Sequence, residues 1–225
     1  MVRWERLRYR VAGRRTRSRE GADVSKRSAT EGRPSKTRTD ELAPGLLIAT
    51  PTVRDPFFAR TVILLVDHDE EGSFGVVLNR RADPSLGDLL ERLELPSPTS
   101  TKTAAVWWGG PVQPEAGMVL YLEEPELGGY EPSMPVAQGL RASWSMDLLR
   151  DIAHGRGPTV YALYLGRAGW GPGQLEDELQ QGAWIPADLQ RSLLFAEDDG
   201  ELWREALREI GVDPAAIALG DAAQA

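Results

Sequence analysis

The stretch TVILLVDHDEEGSFGVVL, residues 61–78, decides how this chain begins to fold. Residues 61–66 form a continuous β-branched and aliphatic run rather than an alternating one, which predicts a strand covered on both faces. Residues 74–78 form a second such run. The acidic segment 67–72 between the two runs predicts the turn of a β-hairpin.

Strand and helix patterns surround this hairpin on both sides. Ser85 and Asp88 have the spacing of a capping box, and leucines at 86, 89, 90 and 93 form the stripe of a short helix. Further strands are predicted at 46–49, 106–108, 118–122, 160–165 and 193–195. Further helices are predicted at residues 145–154, from the end of a loop at 166–173 to residue 179, and from Asp199 to residue 210. With no internal repeat and no linker, the pattern predicts one α/β (α+β) domain over residues 42–219 and a short tail at 220–225.

Composition excludes several classes of protein. The chain has 225 residues, 41% of them hydrophobic, which is enough to bury an ordinary core. It has no cysteine, so disulfides, thiolate metal sites and cysteine nucleophiles are excluded. The longest aliphatic run, residues 62–66, is far short of the roughly 18 apolar residues of a membrane span. Because the N-terminus also lacks the apolar segment of a secretory signal, we expect a cytoplasmic protein.

Charge divides the chain into a leader and a body. Residues 1–40 carry 13 basic and 5 acidic side chains, a net charge of +8, whereas residues 41–225 carry 13 basic and 29 acidic ones, a net charge of −16. The leader, residues 1–41, has few aliphatic residues and no apolar periodicity, so burial cannot offset the entropy of ordering it. We therefore predict a disordered leader in front of an acidic domain.

The basic leader admits more than one interpretation. It is either a non-specific appendage, which includes the case of a start site placed too early, or a binding segment. As a binding segment it would contact the phosphates of nucleic acid or of an anionic membrane surface, or it would tether to the acidic body. Four acidic residues, Glu5, Glu20, Asp23 and Glu31, argue against a transit peptide. Nucleic-acid binding by residues 1–40 would weaken steeply as salt rises and vanish when they are deleted.

Six motifs, in this order, resemble those of the AlgH/YqgE family. They are PGLLIA at 44–49, DPFFARTVILL at 55–65, His68-Asp69 before Gly72, GVVLNR at 75–80, GGPV at 109–112 and GWGPGQLE at 169–176. Two small departures are Ser73-Phe74, where a small residue before the glycine is usual, and Arg81, where proline is common. The resemblance covers nearly all of residues 42–219.

The resemblance implies a fold more than a chemistry. The family fold is a single compact domain in which a bent, bifurcated sheet forms a partial barrel with helices packed outside. The family has no established enzymatic activity, and its usual label, transcriptional regulator, names a regulatory effect rather than a demonstrated DNA site. The acidic body disfavours direct DNA binding, because only Arg80-Arg81 and the leader offer local positive charge along the sequence.

The acidic turn contains the only imidazole of the hairpin, His68. His68 and Asp69 are the residues that a hard metal ion would use, but alternation along a strand points His68 away from Asp67 and Asp69, so we predict no metal site and no cofactor. His68 is either a general base or a residue that hydrogen-bonds the next strand and fixes the turn. Ser73 lies too close in sequence to His68 for a conventional catalytic triad.

The glycine-rich segment 166–173 has two interpretations. Backbone N–H groups in such a loop can hold a phosphate, but the spacing is wrong for a dinucleotide site, and Glu176 and Asp177 would repel an anion. A rigid connection between strand and helix is the better interpretation. Trp170 is either a plug of the core or an exposed anchor for a ligand or partner, and Gln174 is equally open.

Two further polar residues flank the first strands. Arg60 either pairs with Asp55 across the loop between these strands or meets an anionic ligand. Asn79, at a strand end, is expected to satisfy backbone groups of the neighbouring turn through its side chain. The candidate ligand- or partner-binding residues are therefore Arg60, His68, Asn79, Trp170 and Gln174.

These observations favour a non-catalytic, cytoplasmic regulatory or interaction protein that acts on a protein or a small ligand. The alternative is a metal-dependent enzyme or a ligand-binding module around His68, its neighbouring carboxylates and Trp170. An enzyme is the less favoured of the two, and no catalytic residue is assigned.

Overall fold

The computed structural model describes residues 42–196 and 200–215. The predicted hairpin is its centre: β2, Val62–Asp69, pairs antiparallel with β3, Gly72–Val77, and the turn contains only Glu70 and Glu71. The first five residues of β2 are buried, which confirms that both faces of this strand are covered. The acidic segment thus lies mostly within the strands, so the predicted turn was too long.

The strands join into one sheet that curls into a half-barrel, as the family resemblance implied. Besides β2 and β3, the described residues form β1 (Gly45–Ala49), β4 (Val106–Trp108), β5 (Val112–Leu122), β6 (Ser133–Ala137), β7 (Leu140–Ser143), β8 (Tyr161–Trp170) and β9 (Trp184–Asp188). The strand order is β6-β7-β5-β8-β3-β2-β1-β9, with β4 pairing to β8 off this path.

β8 is where the sheet forks. Its first half lies between β5, antiparallel, and β4, parallel, whereas its last three residues pair with β3. The backbone of Gly110 approaches that of Gly166 and Arg167 so closely that a Cβ on Gly110 would lie 2.1 Å from the Arg167 carbonyl carbon. Gly166 has a φ of +69° within this contact. Residues 166–170, predicted as loop, are therefore strand, and their glycines serve close packing.

Both terminal strands of the sheet were absent from the sequence prediction. β6 contains Pro135 and β9 contains Pro186, and proline within a strand is tolerated mainly at a sheet edge. The neighbouring β7 was missed as well. The strand predicted at 193–195 was wrong, because a 3-10 turn at Arg191–Leu193 buries Leu193 and Leu194 instead. A short apolar run does not distinguish a strand from a buried helical turn.

The predicted helices all form. They are α1 (Leu86–Arg92), α2 (Met146–Ala153), α3 (Gln174–Gln180) and α4 (Leu202–Glu209), with a further 3-10 turn at Thr99–Thr101. Ser85 and Asp88 make the predicted capping box on α1, and Ser145 caps α2. The predicted cap Asp199 lies outside the described residues.

Apolar side chains cover both faces of the sheet. One face packs against α4, and the opposite face packs against α1 and α2 near β5 and against α3 near β2. Within the described residues, no helix is both long enough and apolar enough to cross a membrane. The leader and the tail at 220–225 lie outside the described residues, so the predicted division of the chain stays a prediction.

Candidate functional site: an arginine groove

The structure divides the five candidate residues between the two ends of the β2–β3 hairpin. Arg60 and Asn79 lie at the open end, where β2 begins and β3 has ended. His68 lies at the turn, and Trp170 and Gln174 lie beside that turn at the end of β8 and the start of α3. The length of β2 separates the two groups by roughly 20 Å, so they form two sites rather than one.

Asn79 fixes the backbone at the open end. Its side chain is 8% exposed, its Oδ1 accepts a hydrogen bond from Val62 N at 2.9 Å, and its Nδ2 donates to Arg60 O at 2.9 Å. These bonds confirm that Asn79 satisfies backbone groups of the neighbouring loop. They also hold Arg60 in a left-handed conformation, with φ of 57°, that non-glycine residues rarely adopt.

Arg60 does not pair with Asp55. Asp55 accepts a hydrogen bond from Phe57 N at 2.8 Å within its own turn, while the Arg60 guanidinium lies 6.0 Å from the ring centroid of Trp203 on α4. Arginine stacks on aromatic faces while keeping its donors available to other groups. The ion pair with Asp55 is therefore absent, and the other interpretation, an arginine that meets an anionic ligand, stays a prediction.

Arg60 lines a groove of about 1000 Å³ between the loop that follows β1 and helix α4. Five arginine residues, Arg54, Arg60, Arg80, Arg204 and Arg208, line what we call the arginine groove. They are five of the 13 basic residues of the acidic body. Asp213 is the carboxylate among the described lining residues. The groove is thus a concentrated positive region on a domain whose net charge is −16.

Two of these arginines, Arg60 and Arg80, contact groups other than carboxylates. Arg80 Nη2 donates to Ala59 O at 2.7 Å, and Arg80 Nε is buried without a hydrogen-bond partner. Arg204 pairs with Glu201, at the start of its own helix. Within the described ranges no carboxylate lies within 4.0 Å of the guanidinium nitrogens of Arg60 or Arg208. Because Arg60 and Arg208 are not paired with a described carboxylate, their guanidinium groups are suited to receive an anionic acceptor.

Sequence reasoning missed this groove because its arginines come from separate segments. The expectation that only Arg80-Arg81 and the leader carry local positive charge was wrong for the folded body. One signal was available: Arg204 and Arg208 are four residues apart, a spacing that places both on one face of a helix. Nothing in the sequence alone brings that face to Arg60 and Arg80.

His68, at the other end of the hairpin, is enclosed by its neighbours. Its side chain is 7% exposed, its Nδ1 lies 2.7 Å from Ser73 Oγ, and its Nε2 lies 3.7 Å from Glu176 Oε1. Ser73 begins the next strand and pairs directly with His68 in the sheet register. The imidazole therefore joins β2, β3 and α3, which is the turn-fixing role expected as one of its two interpretations.

The carboxylates next to His68 in the sequence accept hydrogen bonds from the backbone of their own hairpin. Asp67 accepts a hydrogen bond from His68 N at 3.1 Å, and Asp69 accepts one from Glu71 N at 2.8 Å. Burial, followed by the charge of Asp69, raises the pKa of Asp67 above its ordinary value. In the described part of the chain no three His, Asp or Glu side chains come together in a way that could hold a metal ion.

Trp170 is a plug of the core and not an exposed anchor. It is 7% exposed and packs edge-on against Trp184, with ring centroids 6.0 Å apart. Both indole N–H groups donate to Glu178 Oε2, at 2.9 Å from Trp170 and 2.7 Å from Trp184. Gln174 donates to Glu178 Oε1 at 2.9 Å and accepts from Gly171 N at 3.1 Å. Glu178, which the sequence analysis did not single out, is the centre of this cluster.

Curated relatives match most of the chain. A UPF0301 protein of Ruegeria pomeroyi is 41% identical over 174 residues, which are 77% of this chain and 94% of that protein. A UPF0301 protein of Myxococcus xanthus is 37% identical over 179 residues, 80% of this chain and 96% of that protein.

Solved structures agree with the fold. The solution structure of the AlgH protein from Pseudomonas aeruginosa superposes with a TM-score of 0.66 at 34% identity, covering 84% of this chain and 97% of that one. A crystal structure of a Corynebacterium diphtheriae protein, at 24% identity and a TM-score of 0.61, covers 79% of this chain and 90% of that one and supports the fold alone. The AlgH-like family model (DUF179) matches residues 46–215. The chain belongs to the AlgH-like family.

Proposed function

We propose that this protein is a non-catalytic, cytoplasmic regulatory or interaction protein that binds a small, multiply charged anion in the arginine groove. The observation that carries the proposal is that five arginine residues line one groove, whose described lining includes a single carboxylate residue, Asp213. Arginine presents several N–H donors in a planar fork that matches phosphate and carboxylate groups. A volume of about 1000 Å³ accommodates a metabolite-sized ligand.

The charge of the body supports a small ligand rather than DNA. Outside the groove the acidic residues dominate, since residues 41–225 carry a net charge of −16. A long polyanion would extend beyond the groove and past these carboxylates, and repulsion acts over about 8 Å at physiological salt. A compact anion would fit within the groove and would interact with the groove residues alone. A regulatory effect on transcription would then pass through the bound ligand or a protein partner.

The chemistry of the groove supports binding rather than catalysis. Its charged groups are chiefly arginines, which stay protonated and therefore do not act as general bases. The hydroxyl of Thr50 already donates to Gly182 O at 2.7 Å, and Asp213 accepts a hydrogen bond from Ala215 N at 2.9 Å. These two groups hold the backbone of the groove walls in place.

The position of the groove supports a regulatory role. One wall is the loop that carries Arg54 and Arg60, and the other is α4, which carries Arg204 and Arg208. Both walls therefore carry positively charged residues, and an anion bound between them would neutralise part of this charge. Binding should therefore strengthen the packing of α4 on the sheet, a change that a partner protein can recognise.

The test is calorimetric titration of the full chain with pyrophosphate at physiological salt. Arg60→Gln and Arg208→Gln should each weaken binding by about tenfold, because each removes a charge-assisted hydrogen bond. Arg150→Gln is the matched control: Arg150 is exposed on α2 and pairs with Asp147 at 2.7 Å, away from the groove. Absence of binding, or equal weakening by all three variants, would contradict the proposal.

A further inference from the structure

The arginine groove has an apolar lining as well as a charged one. Its apolar lining residues are Pro51, Val53, Ala59, Trp203, Pro214 and Ala215. Three of them lie on the loop that follows β1, and three lie on α4 or on the chain that follows it. Trp203 is buried, but the other five are at least partly exposed. Both walls of the groove therefore offer apolar surface to a ligand beside the arginines.

The neutral hydrogen-bonding side chains of the groove are already engaged. Among the described lining residues these are Thr50 and Trp203. The Thr50 hydroxyl donates to Gly182 O at 2.7 Å, and Trp203 Nε1 donates to Ala49 O at 2.8 Å. A ligand body with many hydroxyl or amide groups would lose hydrogen bonds to water and, beyond the arginines, find few replacements. The lining therefore favours an anionic group joined to a hydrocarbon body.

Hydrogen bonds hold both apolar walls in place. On the loop wall, Val53 N donates to Thr50 O at 3.1 Å, and Thr50 N donates to Ala183 O at 2.9 Å, next to β9. On the other wall, Val212 N donates to Leu207 O at 2.9 Å, which folds the chain back on the end of α4. Because the walls are ordered before a ligand arrives, little further ordering opposes the burial of a hydrocarbon chain between them.

We infer that the anion of the arginine groove is a diphosphate ester of a small hydrocarbon alcohol, with its phosphoryl groups at the arginines and its chain against Val53 and Pro214. This inference rests on the proposed anion-binding function and adds the class of ligand. The volume of about 1000 Å³ leaves room for both parts, since it is at the upper end of the range for drug-sized ligands. Removing a hydrocarbon chain from water adds affinity without directional contacts, which suits walls whose neutral donors are engaged.

The experiment compares pyrophosphate, dimethylallyl diphosphate and ADP on the full chain by calorimetry at physiological salt, which screens the basic leader. Wild type should bind dimethylallyl diphosphate about tenfold more tightly than pyrophosphate, because its hydrocarbon chain is partly buried. ADP has a diphosphate but a polar nucleoside, and should bind no more tightly than pyrophosphate.

Val53→Thr keeps the shape of the side chain and adds a hydroxyl group. It should lower the affinity for dimethylallyl diphosphate by roughly threefold or more and leave pyrophosphate binding unchanged. Val112→Thr is the matched control, because Val112 is 37% exposed and does not line the groove. The midpoint of thermal unfolding shows whether each variant is folded at the temperature of the titration.

The outcomes separate this inference from the proposed function. If pyrophosphate binds and Arg60→Gln weakens it, but dimethylallyl diphosphate binds no more tightly or Val53→Thr weakens both ligands equally, the hydrocarbon inference fails and anion binding stands. If neither ligand binds, both fail. Tighter binding of ADP than of dimethylallyl diphosphate would overturn the hydrocarbon body. Binding to phosphatidic acid in phosphatidylcholine vesicles that depends on both Arg60 and Val53 would overturn a soluble ligand in favour of a lipid.

Discussion

The two ends of the β2–β3 hairpin contain different kinds of polar side chain. At the turn, His68 lies against Ser73 and Glu176, and Glu178 accepts both buried indole N–H groups, so the polar groups satisfy one another. At the open end, Arg80 donates to a backbone carbonyl, Arg60 lies against the Trp203 ring, and Arg204 pairs with Glu201. The end whose residue types suggested chemistry is therefore internally satisfied, and the arginine end is the one where we propose that a ligand binds.

The largest expected effect is on stability at the turn end. Glu178→Ala should lower the free energy of unfolding by about 3 kcal/mol, because it leaves two buried indole N–H groups and the Gln174 amide without their acceptor. The midpoint of thermal unfolding should fall by about 6–12 °C. Asp177→Ala, an exposed change on the same helix, is the control. Pyrophosphate affinity at a temperature where both variants are folded should stay at the wild-type value, and a loss would mean that the two ends are coupled.

Asn79→Ala should affect both stability and binding at the open end. It removes two hydrogen bonds, from Val62 N and to Arg60 O, and should cost about 2 kcal/mol in unfolding free energy. Because these bonds hold Arg60 in its left-handed conformation, pyrophosphate affinity should fall by several-fold as well. Chemical denaturation gives the change in unfolding free energy, and calorimetry on the same samples gives the change in pyrophosphate affinity.

Arg60→Gln is the variant to compare with Asn79→Ala. Arg60 is exposed and its guanidinium contact is with the Trp203 ring, so its replacement should lower affinity with a smaller loss of stability. If Asn79→Ala destabilises the fold without any change in affinity, then Asn79 supports the sheet alone and does not position the groove.

The fold could be predicted further from the sequence than the site. Local patterns were enough for the hairpin, for β1 and for the helix caps at Ser85 and Ser145, because each depends on residues close in sequence. The partial barrel was predicted from the family resemblance and not from local patterns. The edge strands β6 and β9 were missed because Pro135 and Pro186 interrupt their patterns.

The candidate site could be predicted less well, because its residues come from distant parts of the sequence. Arg60 was identified through its position in a family motif, but its partners Arg80, Arg204 and Arg208 lie 20 to 148 residues away in the sequence. Their convergence depends on α4 packing on the start of β2, which no local pattern encodes. Trp170 was left undecided for the same reason, since Trp184, against which its ring packs, lies on an unpredicted strand.

A smaller effect is expected at His68. His68→Ala and Ser73→Ala each remove the same 2.7 Å hydrogen bond, so each should cost about 1 kcal/mol in unfolding free energy and the double variant should cost less than their sum. Pyrophosphate binding should not change. Loss of an activity with no loss of stability in His68→Ala would instead favour an enzyme built around this imidazole.

The smallest effect expected is a gain at Asp67. Its pKa is raised in the folded protein, mainly by burial, so the folded state holds this proton more tightly than the unfolded state. At pH 7 the ionised carboxylate therefore destabilises the fold, and the penalty disappears as pH falls through the folded pKa to below the ordinary value of about 3.9. Asp67→Asn removes the charge and keeps the acceptor that His68 N uses.

The expected result is a rise in the midpoint of thermal unfolding of about 1–2 °C at pH 7, small because solvent screens a half-buried carboxylate. The difference from wild type should shrink as the pH is lowered, since both side chains are then neutral. Asp83→Asn, at an exposed position, should give no comparable gain. A stability loss in Asp67→Asn at pH 7 would mean that the negative charge of Asp67 stabilises the turn. The polar groups at the turn end would then not be satisfied by their described neighbours alone.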